Sequence, residues 1–342
     1  MADYYQQEPR LRSRFSLNLA GGQAPVTWAL LTVNVLVWLA MEYTGSSEDT
    51  DVLLDFGAMF GPLIADGEYW RLFTAMFLHV GLMHLLLNGF GLFVFGRVVE
   101  RVYGSVQFAV IYLLAGLSGG VASYLINSIS IGAGASGAIF GVLGAFAAYF
   151  FAHREVLGEA GRQTLWGILV MAGINLTFGF STPGIDNWAH VGGLVGGFAV
   201  GLAFIARPAM PPNVFSFPSP PTLTSRISPR VWLLPLMVAA IVGGTWLGTV
   251  TLPDNPDSHL YSAERLLDRR SYDEALDEIA TALQLNPGSG RAYLLRGQIL
   301  ADLDDVARAR SELYKAIAIA RQTGDRDTEE DARELFNGLS SR

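Results

Sequence analysis

Between Arg101 and His153 the chain reads VYGSVQFAVIYLLAGLSGGVASYLINSISIGAGASGAIFGVLGAFAAYFFA (residues 102–152), and apart from tyrosine none of these side chains is ionisable. About 20 apolar residues cross a bilayer as one helix. Because the run is more than twice that length, it must hold several helices joined by short turns. The whole chain is 51% hydrophobic and only 16% charged, whereas soluble domains carry roughly 25% charged residues. The composition predicts a polytopic membrane protein.

Apolar windows bounded by charged or turn-forming residues predict seven membrane spans. They are Val26–Tyr43, Leu72–Phe95, Val106–Ile126, Ser136–Phe151, Leu165–Phe180, Trp188–Ile205 and Val231–Val250. The first apolar run is too long for a cleavable signal peptide and lacks a small-residue cleavage pattern after it. The expected fold class is therefore all-α: a membrane bundle of six spans plus a seventh, followed by a small soluble helical domain.

The distribution of arginine predicts the orientation of these spans. Only Arg71 falls in a membrane loop on the side opposite to the other flanking arginines. Those others are Arg10, Arg12, Arg14, Arg97, Arg101, Arg154, Arg162, Arg207, Arg226 and Arg230. The positive-inside rule then places the N-terminus in the cytoplasm, and the acidic loop Glu48–Glu68 and the C-terminal tail outside it. We expect a multi-pass protein of a bacterial cell membrane.

Composition also divides the chain into segments. We expect a cytoplasmic segment at 1–24, a six-helix membrane core at 25–206, a proline-rich cytoplasmic linker at 207–230, a seventh span at 231–250 and a soluble helical domain at 256–342. The net charge of −8 gives no reason to expect a nucleic-acid partner. The chain has no cysteine, which excludes disulfides, thiolate metal sites and cysteine catalysis.

The C-terminal segment repeats a pattern of small residues. Ala263, Ala275 and Ala282 recur 34 positions later as Gly297, Ala309 and Ala316. This period resembles that of tetratricopeptide repeats, and about two repeats fit, followed by a capping helix near Thr328–Leu339. An amphipathic helical hairpin without repeat ancestry is the alternative. Two repeats are usually too few to be stable alone, so a protein partner of this segment is one expectation.

Two polar motifs lie inside the predicted spans, where polar groups are expensive and are functional candidates. Gly134-Ala-Ser136-Gly137 opens the fourth span, and His190, followed by two glycines, lies in the sixth. Serine in a membrane helix is often only a packing residue, and a lone histidine can be structural or relay protons. However, each residue lies 17 positions before the cytoplasmic end of its own span, at His153 and Arg207, or roughly 25 Å along the helix.

This shared depth predicts that the serine and the histidine meet. Glycines with small-xxx-small spacing on both spans allow the helices to approach closely. A serine hydroxyl is a poor nucleophile until a base takes its proton, and histidine within hydrogen-bond reach can be that base.

The second span carries a third set of polar residues. His84 and Asn88 are four apart and share one helix face, where their N–H groups could hold a developing oxyanion. Packing is the alternative role for Asn88. His79 lies at the mouth of this span. A metal site is disfavoured, because the HExxH pattern is absent and no carboxylate lies in the adjacent span.

Together these motifs resemble the rhomboid family of intramembrane serine proteases. The shared patterns are the GxSG of Gly134–Gly137, the histidine with two glycines at 190–193, the HxxxN of His84 and Asn88, and the Trp70-Arg71 pair of the first outer loop. The resemblance covers roughly residues 25–205. One departure is Phe140, at a position where family members often carry a tyrosine that stacks on the base.

The resemblance implies a dyad of Ser136 as nucleophile and His190 as base, without a catalytic acid. The oxyanion hole would comprise His84, Asn88 and the backbone N–H of Ser136. Supporting roles would fall to His79, Gly134, Gly137, Phe140, Trp70 and Arg71. No metal or cofactor is required. The expected substrates are membrane proteins with one or few spans, cut near the outer face. The alternatives are a catalytically inactive relative that binds membrane helices and, in another class, a transporter.

Overall fold

The computed structural model describes residues 24–128, 130–182, 184–205, 230–251 and 254–339. These fall into two compact units, one with residues up to 64 and 68–249, the other with residues 65–67 and those from 250 onwards. The expected N-terminal segment and proline-rich linker lie outside the described residues, apart from Ala24 at the end of the first and Arg230 at the end of the second. In the described part the architecture is all-helical, with one isolated β-bridge and no strand. The all-α fold class is confirmed.

Within the described residues, six helices are long and apolar enough to cross a membrane. A further apolar helix, Ser136–Ala152, is shorter, with 17 residues. The membrane unit contains α1 (Pro25–Thr44), α2 (Thr50–Asp55), α3 (Gly61–Ala65), α4 (Arg71–Thr74), α5 (Gly81–Gly91), α6 (Arg97–Tyr103), α7 (Ser105–Ile126), α8 (Ser136–Ala152), α9 (Arg154–Phe180), α10 (Asn187–Phe204) and α11 (Leu233–Thr251). A π-helical segment, Leu92–Gly96, joins α5 to α6, so Gly81–Tyr103 counts as one candidate span.

The bounds of two predicted spans were wrong. The apolar run from Leu72 placed the start of the second span too early. The chain turns at Gly81, which has φ +71° and where a side chain would meet the Glu48 carboxylate. The α5 helix begins only there. The predicted span Leu165–Phe180 is the apolar part of the longer α9, which continues to Arg154 across a kink at Gly158. Hydropathy marks where a helix is apolar, not where it begins.

The core of the membrane unit forms around α8. Most of its residues are buried, and Val142, Ala145 and Ala148 have no exposed surface. Helices α7, α9 and α10 pack against it. Small residues make this possible, because they let helix backbones approach closely where lipid offers no hydrophobic driving force. The α8 helix is thus enclosed by other helices.

A buried carboxylate fastens the start of α1 to α6. Glu100 is 2% exposed and accepts hydrogen bonds from the backbone N–H of Val26 at 3.0 Å and of Thr27 at 2.8 Å. The hydroxyls of Thr27 and Ser105 also donate to it, both at 2.7 Å. The first N–H groups of a helix lack intrahelical partners and attract negative charge. Glu100 therefore has the partners that a buried charge requires.

The connection from α1 to α5 is a packed loop of short helices, held by Arg71. This side chain is 2% exposed and donates to the carbonyls of Leu54 at 2.7 Å and Ala58 at 3.0 Å, while its Nε lies 2.6 Å from Glu68. Its guanidinium lies 4.7 Å from the centre of the Trp70 ring. Since the guanidinium carries five donors in one plane, a single arginine can bond two loop carbonyls and a carboxylate at once.

A second tie joins this loop to the start of α5. The Ser47 hydroxyl is fully buried and accepts from Trp38 Nε1 at 3.0 Å and from the backbone N–H of Gly81 at 3.1 Å. It donates to the carboxylate of Glu42. One serine thus links the end of α1 to the first residue of α5.

The last apolar helix of the membrane unit, α11, packs on α7 through small residues. A side chain at Gly248 would overlap the ring of Tyr124, and one at Gly244 would press on Val121. The hydroxyl of Tyr124 lies 3.3 Å from that of Thr249. Close contact between helix surfaces is the usual source of association in lipid.

The tail unit is a series of five helices that pack in sequence order. They are α12 (Pro256–Asp268), α13 (Tyr272–Leu285), α14 (Gly290–Asp302), α15 (Val306–Thr323) and α16 (Arg326–Gly338). The repeated small residues Ala275, Ala282, Ala309 and Ala316 have no exposed surface. A side chain at Gly297 would press on Leu313 of the neighbouring helix. The recurring small residues therefore lie where these helices meet.

A histidine links the first two helices of the tail and makes the stability of this pair pH-dependent. His259 Nδ1 lies 2.6 Å from Glu278 and its Nε2 lies 2.9 Å from Asp254. Burial of the ring opposes protonation, but the hydrogen bonds and charges of both carboxylates outweigh it and raise the pKa of His259. The stabilisation is therefore fully present below the unfolded pKa of about 6.5 and is lost as the pH rises through the raised pKa.

We expect hydrogen-exchange protection factors in α12 and α13, corrected for intrinsic exchange, to fall as the pH of the full-length protein in detergent is raised from about 6 to about 8. The helices α14 and α15 serve as an internal control. In His259→Gln the pH dependence of α12 and α13 should disappear. Equal pH dependence in the variant would contradict this role of His259.

Candidate active site

Ser136 is the first residue of α8, and the segment before it is held by main-chain hydrogen bonds from the α1–α5 connection. Met59 and Gly132 exchange two backbone hydrogen bonds, each 2.8 Å long. Gly61 N–H donates to Ser128 at 2.8 Å. The position of the serine thus depends on a loop far away in sequence.

Gly134 has a backbone conformation that favours glycine. Its φ is +139°, and its N–H donates to the carbonyl of Ala75 at 2.9 Å. A side chain added at Gly134 would lie 2.9 Å from His84 Nε2 and 3.7 Å from Ser136 Oγ. The absence of a side chain therefore leaves a small space that both of these polar groups reach.

His190 lies in the first turns of α10, and the structure brings it to Ser136. Its Nε2 is 2.8 Å from Ser136 Oγ, and the ring is 8% exposed. The ring of Phe140 stacks on the imidazole with 4.3 Å between centroids and 10° between planes. Phenylalanine therefore supplies the aromatic face. With the imidazole neutral and Nδ1 protonated, the serine hydroxyl donates to Nε2.

Backbone contact between α8 and α10 allows this approach. A side chain at Gly193 would overlap the carbonyl oxygen of Gly137, and one at Gly197 would overlap that of Gly141. Gly137, which follows the serine, thus lies directly against α10.

His84 lies on α5 beside the same space, and Asn88 follows it by about one helical turn. The N–H of Val80 donates to His84 Nδ1 at 3.3 Å, so Nε2 carries the proton and is a donor on the side of Gly134. Asn88 is 7% exposed, and its Nδ2 donates to the carbonyl of His84 at 3.1 Å. The N–H of Ser136 is in the first helical turn, where backbone donors lack intrahelical partners.

The remaining candidates lie in the α1–α5 connection. His79 is fully buried, and its ring lies 5.3 Å from that of His84 in an edge-to-face arrangement. It precedes α5 and does not belong to the helix. Trp70 and Arg71 contact each other and the loop backbone. Among the described residues there is no cluster of three or more His, Asp or Glu that could hold a metal ion.

Sequence reasoning missed one polar residue beside the dyad. Asp186 is the N-cap of α10, and its Oδ1 accepts from the N–H of Ala189 at 3.0 Å. The signal was present, because Asp directly before a predicted helix is a typical N-cap. The backbone partners of Gly132 and Gly134 were missed as well, and no side-chain pattern marks main-chain hydrogen bonds.

A serine hydrogen-bonded to a histidine nitrogen, with N–H donors around one small space, suits acyl transfer.

The family model described as Rhomboid domain matches residues 66–207 of this chain. The chain is similar to Rhomboid protease GluP of Bacillus subtilis, with 34% identity over 256 residues, or 75% of this chain and 47% of the relative. It is also similar to RHOMBOID-like protein 6, mitochondrial, of Arabidopsis thaliana, with 33% identity over 230 residues, or 66% of this chain and 74% of the relative.

The chain spans less than half the length of the Bacillus relative. The match to the mitochondrial relative, however, exceeds 30% identity and covers about three quarters of that protein. The apolar helices agree with a multi-pass membrane protein. This chain belongs to the rhomboid family.

Proposed function

We propose that this protein is an intramembrane serine endopeptidase that cleaves transmembrane segments of membrane proteins near the outer face through a dyad of Ser136 and His190. The observation that carries the proposal is the 2.8 Å contact between Ser136 Oγ and His190 Nε2 at the N-terminal ends of two closely packed helices. A general base must lie within hydrogen-bond reach of the proton that it removes, and this geometry meets that condition.

In the proposed reaction His190 Nε2 takes the hydroxyl proton as Ser136 Oγ attacks the substrate carbonyl carbon. The carbonyl oxygen becomes negative in the tetrahedral intermediate. The N–H of Ser136 and the side chains of His84 and Asn88 donate hydrogen bonds to this oxygen. Protonated His190 then gives its proton to the leaving amine, and an acyl-enzyme forms on Ser136. Water, activated by His190, releases the second product.

The substrate must expose a peptide carbonyl to the serine, and a continuous helix hides its carbonyls in i to i−4 hydrogen bonds. We therefore infer that the substrates are membrane proteins with one or few spans whose helix unwinds near the cut, where small residues favour unwinding. The arginine pattern supports a cytoplasmic N-terminus, a tail outside a bacterial cell membrane and cleavage near the outer face.

The tail is proposed to be a repeat domain of tetratricopeptide type that docks another protein outside the membrane. Its support is the order of the helices and the burial of the recurring small residues at their contacts. The competing function for the whole chain is an inactive relative that binds membrane helices. The presence of both Ser136 and His190 in bonding distance argues against it.

The test is cleavage of a fluorescent single-span substrate in liposomes, with fluorophosphonate labelling of the enzyme as a parallel measurement. We expect the wild type to cut the substrate and to carry the label on Ser136. A folded wild type that does neither across a panel of single-span substrates would favour the helix-binding scaffold.

A further inference from the structure

The two ring nitrogens of His190 have different surroundings. Nε2 faces Ser136, but Nδ1 is buried and makes no hydrogen bond within the described residues. When His190 is the proposed base, its ring becomes a cation during the reaction. A buried cation needs compensating charge or hydrogen bonds. The source of that compensation is therefore a question that the dyad alone does not answer.

Asp186 is well placed to answer it. Its carboxylate caps the first turn of α10 through Ala189, and its backbone carbonyl accepts from the N–H of His190 at 3.3 Å. Four residues separate Asp186 from His190, or about 6 Å along the helix axis. The other carboxylate oxygen points to the segment before the nucleophile, since a side chain at Gly132 would lie 3.7 Å from Oδ2. The carboxylate thus borders both chain segments that bring the dyad together.

The other groups that face His190 do not supply negative charge. Helix α8 presents Ser136 and Phe140, and α5 presents His84, a group that can only be neutral or positive. From α7, Gly119 packs against the backbone of Ala189. Asp186 is therefore the candidate source of the compensating charge.

We propose that Asp186 is a positioning residue for the dyad, which orients His190 by capping α10 and stabilises its protonated form through a fixed negative charge. The inference rests on the proposed function. The role of Asp186 has two separable parts, the helix cap and the negative charge. Asparagine is as good an N-cap as aspartate but carries no charge. Asp186→Asn therefore keeps the cap and removes the charge, whereas Asp186→Ala removes both.

The experiment measures kcat/KM for a single-span substrate between about pH 5 and pH 9 in wild type, Asp186→Asn and Asp186→Ala. The rate of fluorophosphonate labelling of Ser136 is followed over the same range. A negative charge near the imidazole makes the neutral base available only at higher pH but stabilises the cation that forms in the transition state. In Asp186→Asn we expect the acid limb of both profiles to move down by about 0.5 pH unit and the plateau to fall about threefold.

The matched control is Asp325→Asn in the tail, where the carboxylate makes the same kind of cap by accepting from the N–H of Thr328 at 3.1 Å. Its profile should equal that of the wild type. Asp186→Ala should show the same shift of the acid limb with a larger loss of rate, and its thermal midpoint in detergent reports the loss of the cap.

Two outcomes would overturn the inference, and they are distinguishable. An active wild type whose profile is unchanged in Asp186→Asn, or is lowered equally at every pH, would refute the role of the charge and leave the proposed protease intact. A folded wild type that neither cleaves nor labels would refute the protease and this role together.

Discussion

Alanine at Ser136 or at His190 is expected to lower kcat/KM for a single-span substrate by about four orders of magnitude. Ser136→Ala removes the nucleophile, and His190→Ala leaves a hydroxyl with no base at 2.8 Å. Because the two residues act as one unit, the double variant should be no slower than the slower single variant. A double variant with multiplied losses would contradict a dyad.

These variants also need evidence of folding, since both side chains lie between packed helices. We expect a near-native thermal midpoint in detergent for Ser136→Ala, which removes one hydrogen bond worth about 1 kcal/mol net. The midpoint of His190→Ala should be lower, because this change also removes a buried ring stacked on Phe140. The fluorophosphonate should label wild type only. Labelling of Ser136→Ala would show that the probe reacts elsewhere, and full activity in either single variant would exclude its proposed role.

Alanine at Gly197 is expected to separate α8 from α10 and to lower the rate of cleavage about a hundredfold. The added methyl group would overlap the carbonyl oxygen of Gly141, which belongs to a helix backbone and cannot rotate away. Overpacking of this kind costs about 1–3 kcal/mol. The larger effect falls on activity, since a displacement of about 1 Å between catalytic groups can cost about a hundredfold in rate. Cleavage rate and thermal midpoint measure the two effects.

The matched control is Gly243→Ala. Gly243 also lies in an apolar helix, α11, but nothing lies within 4 Å of a methyl group added there. Helix propensity even favours this change. We expect wild-type activity and an unchanged or slightly raised thermal midpoint. If Gly197→Ala behaved like Gly243→Ala, the close approach of α8 and α10 would not be required for the geometry of the site.

The sequence contained enough to predict the helical fold and to choose Ser136 and His190 as candidates for one site. Their depth follows from counting residues along helices of fixed rise, which needs no tertiary information. The start of α5 was not predictable in this way, because the chain stays apolar from Leu72 onwards although it turns at Gly81, where φ is +71°. Hydropathy is insensitive to a turn made within an apolar run.

The contacts that tune the candidate site were the least predictable. Glu100 lies between the second and third predicted spans, where a charged residue is ordinary. Only the fold reveals that its carboxylate accepts from the N–H groups of Val26 and Thr27 at the start of α1. The support of Ser136 by Ala75 and Met59 involves backbone atoms, which every residue has. Such contacts depend on which segments meet, and one sequence carries no record of that.

The main-chain hydrogen bonds between the α1–α5 connection and the segment before Ser136 have a consequence for natural variation. Amide and carbonyl groups are common to all residues except for the missing N–H of proline. Substitution at Met59 or Ser128 can therefore change the side chain without changing the pairing. Insertion or deletion of one residue between Asn127 and Gly134 would instead shift the register of the bonds to Met59, Gly61 and Ala75. The length of this segment should vary much less than its composition.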